Sequence, residues 1–219
     1  MSTKTASKKN AKASSGNTVW WILGGVVGLG LIVWLAFSIA SDPGLDESIG
    51  FGEITVEGDA LPFFADPATT DPALGLTAPT VSGKDWEDNA YTIGPDGRPK
   101  ILVFLAHWCP HCQAEVPVIQ DWLDAGGLGQ NVDMYGVTVL TNRLQGNWPP
   151  QEWLEEEGWT PPTIMDDVES SAVFAYGVQG TPFYVVLDGD GANLGRFSGE
   201  VGVAGLETMK LLAESSLES

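Results

Sequence analysis

The sequence is poor in basic residues. Ten lysines and arginines stand against 29 aspartates and glutamates, which leaves a formal net charge of −19 over 219 residues. Nucleic-acid binding depends on lysine and arginine side chains that replace the counterions of the phosphates, so this scarcity argues against a nucleic-acid partner. The hydrophobic fraction of 43% is ordinary for a globular protein and excludes disorder throughout the chain. The acidic excess predicts a solvated acidic surface, with binding to basic partners as the alternative.

Cysteine and histidine are scarcer still, with two of each, and all four lie within residues 107–112. A zinc site needs four ligands in workable geometry, which six contiguous residues seldom provide. A purely structural disulfide between Cys109 and Cys112 would close a very small loop and add little stability. The pair therefore predicts redox chemistry, with copper(I) binding by the two thiolates as the alternative.

Charged residues are absent from residues 19–40, which are rich in tryptophan, leucine, isoleucine and valine. About twenty apolar residues in a helix cross the hydrocarbon core of a bilayer. All lysines of the N-terminal region precede this segment and the first acid, Asp42, follows it, which places the N-terminus in the cytoplasm. A cleaved signal peptide is the alternative, because Ser38-Ile39-Ala40 contains small residues where a peptidase could cut, but the apolar core of a signal peptide is only about 7–15 residues long.

These patterns divide the chain into four parts. We predict a cytoplasmic basic tail at residues 1–18, a transmembrane helix at 19–40, an acidic extracytoplasmic linker at 41–72, and a folded domain at 73–219. The linker is predicted from its acids and prolines, although residues 53–56 have the composition of a locally packed segment.

The domain shows alternating strand and helix patterns. Residues 101–106 form a continuous apolar run that is typical of a buried strand. The glycines and aspartates of residues 188–191 indicate a hairpin turn. The predicted strands are 101–106, 134–140, 163–165, 183–187 and 193–197, and the predicted helices are 110–124, 151–157, 169–176 and 205–214. This order indicates an α/β fold with a mixed sheet.

The two cysteines lie where the first strand meets the first helix. Cys109 would therefore stand at the N-terminus of the helix, where unpaired N–H groups and the helix dipole favour a thiolate. The thiolate is the nucleophilic form of cysteine, so Cys109 is predicted to attack and Cys112 to resolve a mixed disulfide. Pro110 suits the first helical turn. His111 lies between the sulfurs, and a partly positive imidazole there would stabilise the thiolate; a solvent-exposed spacer is the alternative.

Two motifs together carry a family resemblance. Trp-Cys-Pro-His-Cys at residues 108–112, followed by Val-Gln-Gly-Thr-Pro at 178–182, resembles the thioredoxin superfamily, and most closely its membrane-anchored, extracytoplasmic TlpA/ResA-like members. The resemblance covers about residues 73–219. It implies a thioredoxin-like three-layer fold with a mixed central sheet and a helix–strand insertion near residues 148–165.

The resemblance also implies roles for individual residues. Thr181–Pro182 is expected to be a cis peptide that faces the cysteines and, with Trp108 and Pro110, positions an extended substrate segment. Glu115 is expected to exchange a proton with Cys112, since the two share a helix face by i,i+3 spacing. Its alternative is a solvated helix carboxylate.

The sequence thus predicts a protein-disulfide oxidoreductase that acts on exported proteins with cysteines. No organic cofactor is implied, whereas a membrane or exported redox partner is expected, because a single C-x-x-C pair must be recycled. The resemblance leaves the direction open, since Pro110-His111 is similar to the dipeptide of DsbA-type oxidants in a domain similar to TlpA/ResA-type reductases. A copper(I) metallochaperone that uses Cys109 and Cys112 is the alternative function.

Overall fold

The computed structural model describes residues 49–64 and 70–218. The predicted basic tail (1–18) and membrane span (19–40) lie outside the described residues, as does the start of the predicted linker. Within the described residues, no helix has both the length and the hydropathy needed to cross a bilayer.

The described chain contains eight strands and four α-helices. The strands are β1 (Thr55–Glu57), β2 (Thr80–Lys84), β3 (Ala90–Ile93), β4 (Lys100–Leu105), β5 (Asp133–Thr138), β6 (Thr163–Met165), β7 (Phe183–Leu187) and β8 (Asn193–Ser198). The helices are α1 (Pro110–Asp124), α2 (Pro150–Glu156), α3 (Ser171–Tyr176) and α4 (Gly202–Ser215), followed by a short 3₁₀ turn at Ser216–Glu218.

Five strands form the central sheet in the order β6-β5-β4-β7-β8. Strands β4, β5 and β6 pair in parallel, whereas β7 is antiparallel to both β4 and β8. All six residues of β4 are buried, which explains why residues 101–105, after Lys100, form a continuous apolar run rather than an alternating one. The sheet is therefore of mixed direction, as predicted.

Alternate residues of β4 enter two separate cores. Ile101, Val103 and Leu105 pack on the face covered by α1 and α4, while Leu102 and Phe104 pack on the opposite face, against α3 and the strand pair β2–β3. This follows from the period of two in a strand. Helices on both faces of one sheet make the three-layer α/β architecture predicted from the sequence.

A second, three-stranded antiparallel sheet, β1-β2-β3, was not predicted. Its strand β1 lies within residues 41–72, the stretch predicted as an acidic linker, and pairs with β2. All three residues of β1 are exposed, so the strand lacks an apolar signal. In β2 the second buried position is Gly83, so the sequence of this strand does not show an alternation of hydrophobic and polar residues.

Arg196 of β8 connects residues that precede β2, among them Pro62 and Asp71, to the central sheet. Its guanidinium donates to the carbonyl oxygens of Pro62 and Tyr176 and to both carboxylate oxygens of Asp71. It also lies over the ring of Phe64, 5.5 Å from the centroid. The Arg196 side chain has no exposed surface and that of Asp71 is 12% exposed, so the ion pair is largely buried.

Two helix boundaries differ from the prediction for identifiable reasons. Helix α3 begins at Ser171 rather than at residue 169, because Ser170 has a φ of 61°, outside the right-handed helical region. Helix α4 begins at Gly202 rather than at residue 205. Glu115 accepts hydrogen bonds from the N–H groups of Val201 and Gly202, which supplies an acceptor for donors that a helix start leaves unpaired.

Candidate active site

Cys109 is the N-cap residue of α1, directly after the buried strand β4. Only 7% of the residue is exposed, and its Sγ lies 3.2 Å from the carbonyl oxygen of Thr181. Pro110 occupies the first helical turn, where its missing N–H group leaves no hydrogen bond unmade. The sequence prediction of a cysteine at the N-terminus of this helix is therefore confirmed.

The two sulfurs have different environments. Burial by itself would raise the pKa of Cys109. Hydrogen bonds from the Thr181 side chain and from the N–H groups of Cys112 and His111 outweigh burial and lower this pKa below its ordinary value. Cys112 has no exposed surface, and burial raises its pKa to about 12. At neutral pH, Cys109 is thus the sulfur that ionises more readily.

The loop before β7 faces the cysteines. The Thr181–Pro182 peptide is cis, as the resemblance implied. Strand β7 pairs directly with β4, so the loop that precedes β7 lies beside the cysteine motif that follows β4. The Pro182 carbonyl oxygen accepts a hydrogen bond of 2.8 Å from the Gly199 N–H group, which joins this loop to the end of β8.

His111 is exposed and has a partner that the sequence did not indicate. Its Nδ1 lies 2.5 Å from Oε1 of Glu200, a residue between β8 and α4. The hydrogen bond to Glu200 and the charge of this carboxylate raise the pKa of His111 above its ordinary value. One residue of the acidic excess is therefore in direct contact with the active-site histidine.

Glu115 is buried beneath the motif, with 2% of its surface exposed. Its Oε1 accepts hydrogen bonds from the Tyr184 hydroxyl (3.0 Å) and from the N–H groups of Val201 and Gly202 (2.9 Å each). The alternative of a solvated helix carboxylate is therefore wrong. Tyr184 was missed, because a tyrosine in a buried strand is indistinguishable by sequence from a core residue.

His107 and Trp108 contact the loop after β5. The His107 ring is buried; Nδ1 lies 2.7 Å from the Gly146 carbonyl oxygen, and Nε2 accepts from the Asn142 N–H group. Nδ1 therefore carries the proton of a neutral ring, and burial lowers the pKa of His107. Trp108 is 37% exposed, and its Nε1 donates to the carbonyl oxygen of Leu140.

Metal-binding side chains are not gathered anywhere in residues 49–64 and 70–218. These ranges contain no group of three or more His, Cys, Asp or Glu residues with suitable geometry. The copper(I) alternative has Cys109 and Cys112 as its only thiolate ligands.

Comparison with known proteins agrees with this geometry. Residues 69–193 match the profile of the AhpC/TSA family. The chain belongs to the AhpC/TSA family. Among relatives of this AhpC/TSA protein, a thiol:disulfide interchange protein DsbE from Pasteurella multocida is 28% identical over 140 residues, which span 62% of this chain and 72% of the relative. A second DsbE, from Haemophilus influenzae, is 26% identical, and the match spans 53% of this chain and 60% of that relative.

Solved structures support the fold of this AhpC/TSA protein. A DsbF homologue from Corynebacterium diphtheriae superimposes with a TM-score of 0.55 at 20% identity, over 69% of this chain and 98% of that one. The predicted resemblance to thioredoxin-like thiol–disulfide oxidoreductases is confirmed by the family match and by the names of the two relatives.

Proposed function

We propose that this protein exchanges disulfides with cysteine-containing exported proteins and that Cys109 is its nucleophile. The observation that carries the proposal is the contrast between the two sulfurs. Cys109 has a lowered pKa and lies beside the Thr181 carbonyl oxygen, whereas Cys112 is fully buried with a pKa of about 12. Because the thiolate is the reactive form, the first sulfur suits attack on a client and the second suits resolution.

The chemistry transfers two electrons. In reduction, the Cys109 thiolate attacks one sulfur of a client disulfide; a mixed disulfide forms and the other client sulfur leaves as a thiolate. Cys112 then loses its proton and attacks Cys109 Sγ, which releases the second client thiolate and closes the Cys109–Cys112 disulfide. Oxidation of a client dithiol runs the same steps in reverse, so the two reduction potentials set the direction.

The remaining residues support these steps. We assign Glu115 as the group that exchanges a proton with Cys112, because both are buried one helical turn apart. The cis peptide Thr181–Pro182, with Trp108 and Pro110, positions the client backbone next to Cys109. A membrane or exported partner recycles the cysteine pair after each exchange.

The location is part of the same proposal. Residues 19–40 anchor the chain in the cell membrane, with the lysine-rich N-terminus in the cytoplasm and the catalytic domain outside. The supporting observations are the uncharged apolar segment and the lysines that precede it. Protease added to spheroplasts is expected to digest the domain. A protected domain with a cleaved N-terminal tail would reverse the orientation.

Trapping experiments test the chemistry. The Cys112→Ser variant is expected to accumulate mixed disulfides with client proteins, because the resolving thiol is gone, whereas Cys109→Ser is expected to form none. The double variant Cys109→Ser, Cys112→Ser is the matched control, and reduction with dithiothreitol should release every trapped client. Trapping by Cys109→Ser but not by Cys112→Ser would contradict the assigned roles.

A further inference from the structure

The segment of residues 199–202, which connects β8 to α4 and ends at the first residue of α4, contacts the candidate site at three places. One contact is with the cis-proline loop, one with the exposed histidine and one with the buried carboxylate. The hydrogen bonds are Gly199 N–H to Pro182 O (2.8 Å), Glu200 Oε1 with His111 Nδ1 (2.5 Å), and Val201 and Gly202 N–H to Glu115 Oε1 (2.9 Å each). This one segment therefore bonds to residues near both cysteines.

We propose that Glu200 is a positioning residue of the exchange reaction, which holds the His111 imidazolium beside Cys109 and thereby stabilises the Cys109 thiolate. The proposal rests on the proposed function, since it names a residue that acts on the same nucleophile. Glu200 touches neither sulfur nor client and acts only through His111.

The backbone on both sides of Glu200 is fixed. Gly199 and Gly202 have φ values of 85° and 57°, in the left-handed region that glycine adopts without strain. The N–H groups of residues 199, 201 and 202 are each bonded to the site. An exposed ion pair contributes little when two long side chains must be ordered to form it. Here the glutamate extends from an anchored backbone, which reduces that entropy cost.

The charges around His111 show why the pair matters. Glu200 contacts the imidazole from the β8–α4 connection, and Cys109, the N-cap residue of α1, precedes His111 by two residues. The glutamate favours the imidazolium, so the positive charge beside the sulfur persists to higher pH. The carboxylate by itself repels a thiolate. The proposal therefore predicts that Glu200 favours ionisation of Cys109 when His111 is present and does not favour it when His111 is absent.

A double-mutant cycle measures this difference. The variants Glu200→Gln, His111→Ala and their combination are made in the Cys112→Ser background, so that only Cys109 reacts. Iodoacetamide alkylation rates between pH 5 and 10 give the ionisation of Cys109, and NMR titration gives that of His111. Glu156→Gln is the control for loss of one negative charge, because Glu156 is an exposed residue of α2.

When His111 is present, Glu200→Gln is expected to lower the Cys109 alkylation rate by roughly three- to tenfold at pH values where most of the thiol is still protonated. The loss should be largest above about pH 6.5, where a histidine without an acidic partner loses its proton. In the His111→Ala background the same substitution should leave the rate unchanged or raise it. Glu156→Gln should have no effect in either background.

Equal losses in both backgrounds would overturn the proposal, because they would show that Glu200 acts on the loop and not through His111. An unchanged His111 titration in Glu200→Gln would overturn it as well. Neither measurement uses a client protein. Failure to trap clients would therefore count against the proposed function alone, while failure of the cycle would count against Glu200 alone.

Discussion

The pKa of Cys112 allows a quantitative prediction about its reactivity. In the Cys109→Ser variant, Cys112 is the only thiol, and its burial, the main cause of the raised pKa, is retained. At pH 7 a thiol with the ordinary pKa of 9.0 is ionised to about 1%, and one with a pKa of about 12 to about 0.001%. The thiolate population is therefore about a thousandfold lower.

Part of this loss is offset by nucleophilicity. A thiolate of higher pKa is intrinsically more reactive, with a Brønsted slope of about 0.4–0.5. This raises the rate constant of the thiolate by a factor of roughly 15 to 30. Alkylation of Cys112 should thus be roughly 30- to 60-fold slower than that of an ordinary thiol. Because Cys112 has no exposed surface, restricted access adds to this factor.

The assay is iodoacetamide alkylation of Cys109→Ser, followed by mass spectrometry. The matched control is the same variant in guanidinium chloride, where unfolding restores an ordinary thiol. In the folded protein the logarithm of the rate should rise with unit slope to beyond pH 10. A plateau near pH 9, or a folded rate within fivefold of the unfolded rate, would refute the assignment of Cys112 as the shielded sulfur.

Three further predictions test other parts of the structure. Arg196→Met should lower the free energy of unfolding in urea by about 3–5 kcal/mol, because it leaves the largely buried Asp71 carboxylate without its charged partner. Arg98→Met, at an exposed ion pair, should lower it much less, and equal losses in the two variants would contradict this prediction. Burial lowers the pKa of His107, so as the pH falls below about 6.5 the unfolded chain takes up this proton before the folded protein does. The wild type should therefore lose more stability between about pH 7 and pH 5 than the His107→Gln variant does. Equal losses of stability in the two proteins would exclude this linkage. The reduction potential should lie above the approximately −270 mV of thioredoxin and fall in His111→Ala, as measured by glutathione titration; equal potentials would show that His111 does not tune the site.

The parts of the fold that could be predicted are those with strong local patterns. The run of residues 101–106 is buried on both faces, and the helix that follows begins at Pro110, as its sequence indicates. The hairpin at residues 188–191 is turned by Asp188, whose Oδ1 accepts from the N–H groups of Asp190 and Ala192. By contrast, β1 is short and exposed, and it pairs with β2, a strand distant from it in sequence.

The sequence by itself determined where the reactive cysteines lie, because the strand, the proline and the helix that place Cys109 at an N-terminus are contiguous. Only the tertiary structure decided what surrounds them. Glu200 reaches His111 across 89 residues of sequence, and Tyr184 reaches Glu115 across 69. The antiparallel pairing of β7 with β4 and of β8 with β7 brings these segments together. The sequence around a polar residue at the end of a strand or in a core strand does not indicate which residue it will contact. These contacts therefore follow from the order of the strands in the sheet and not from composition.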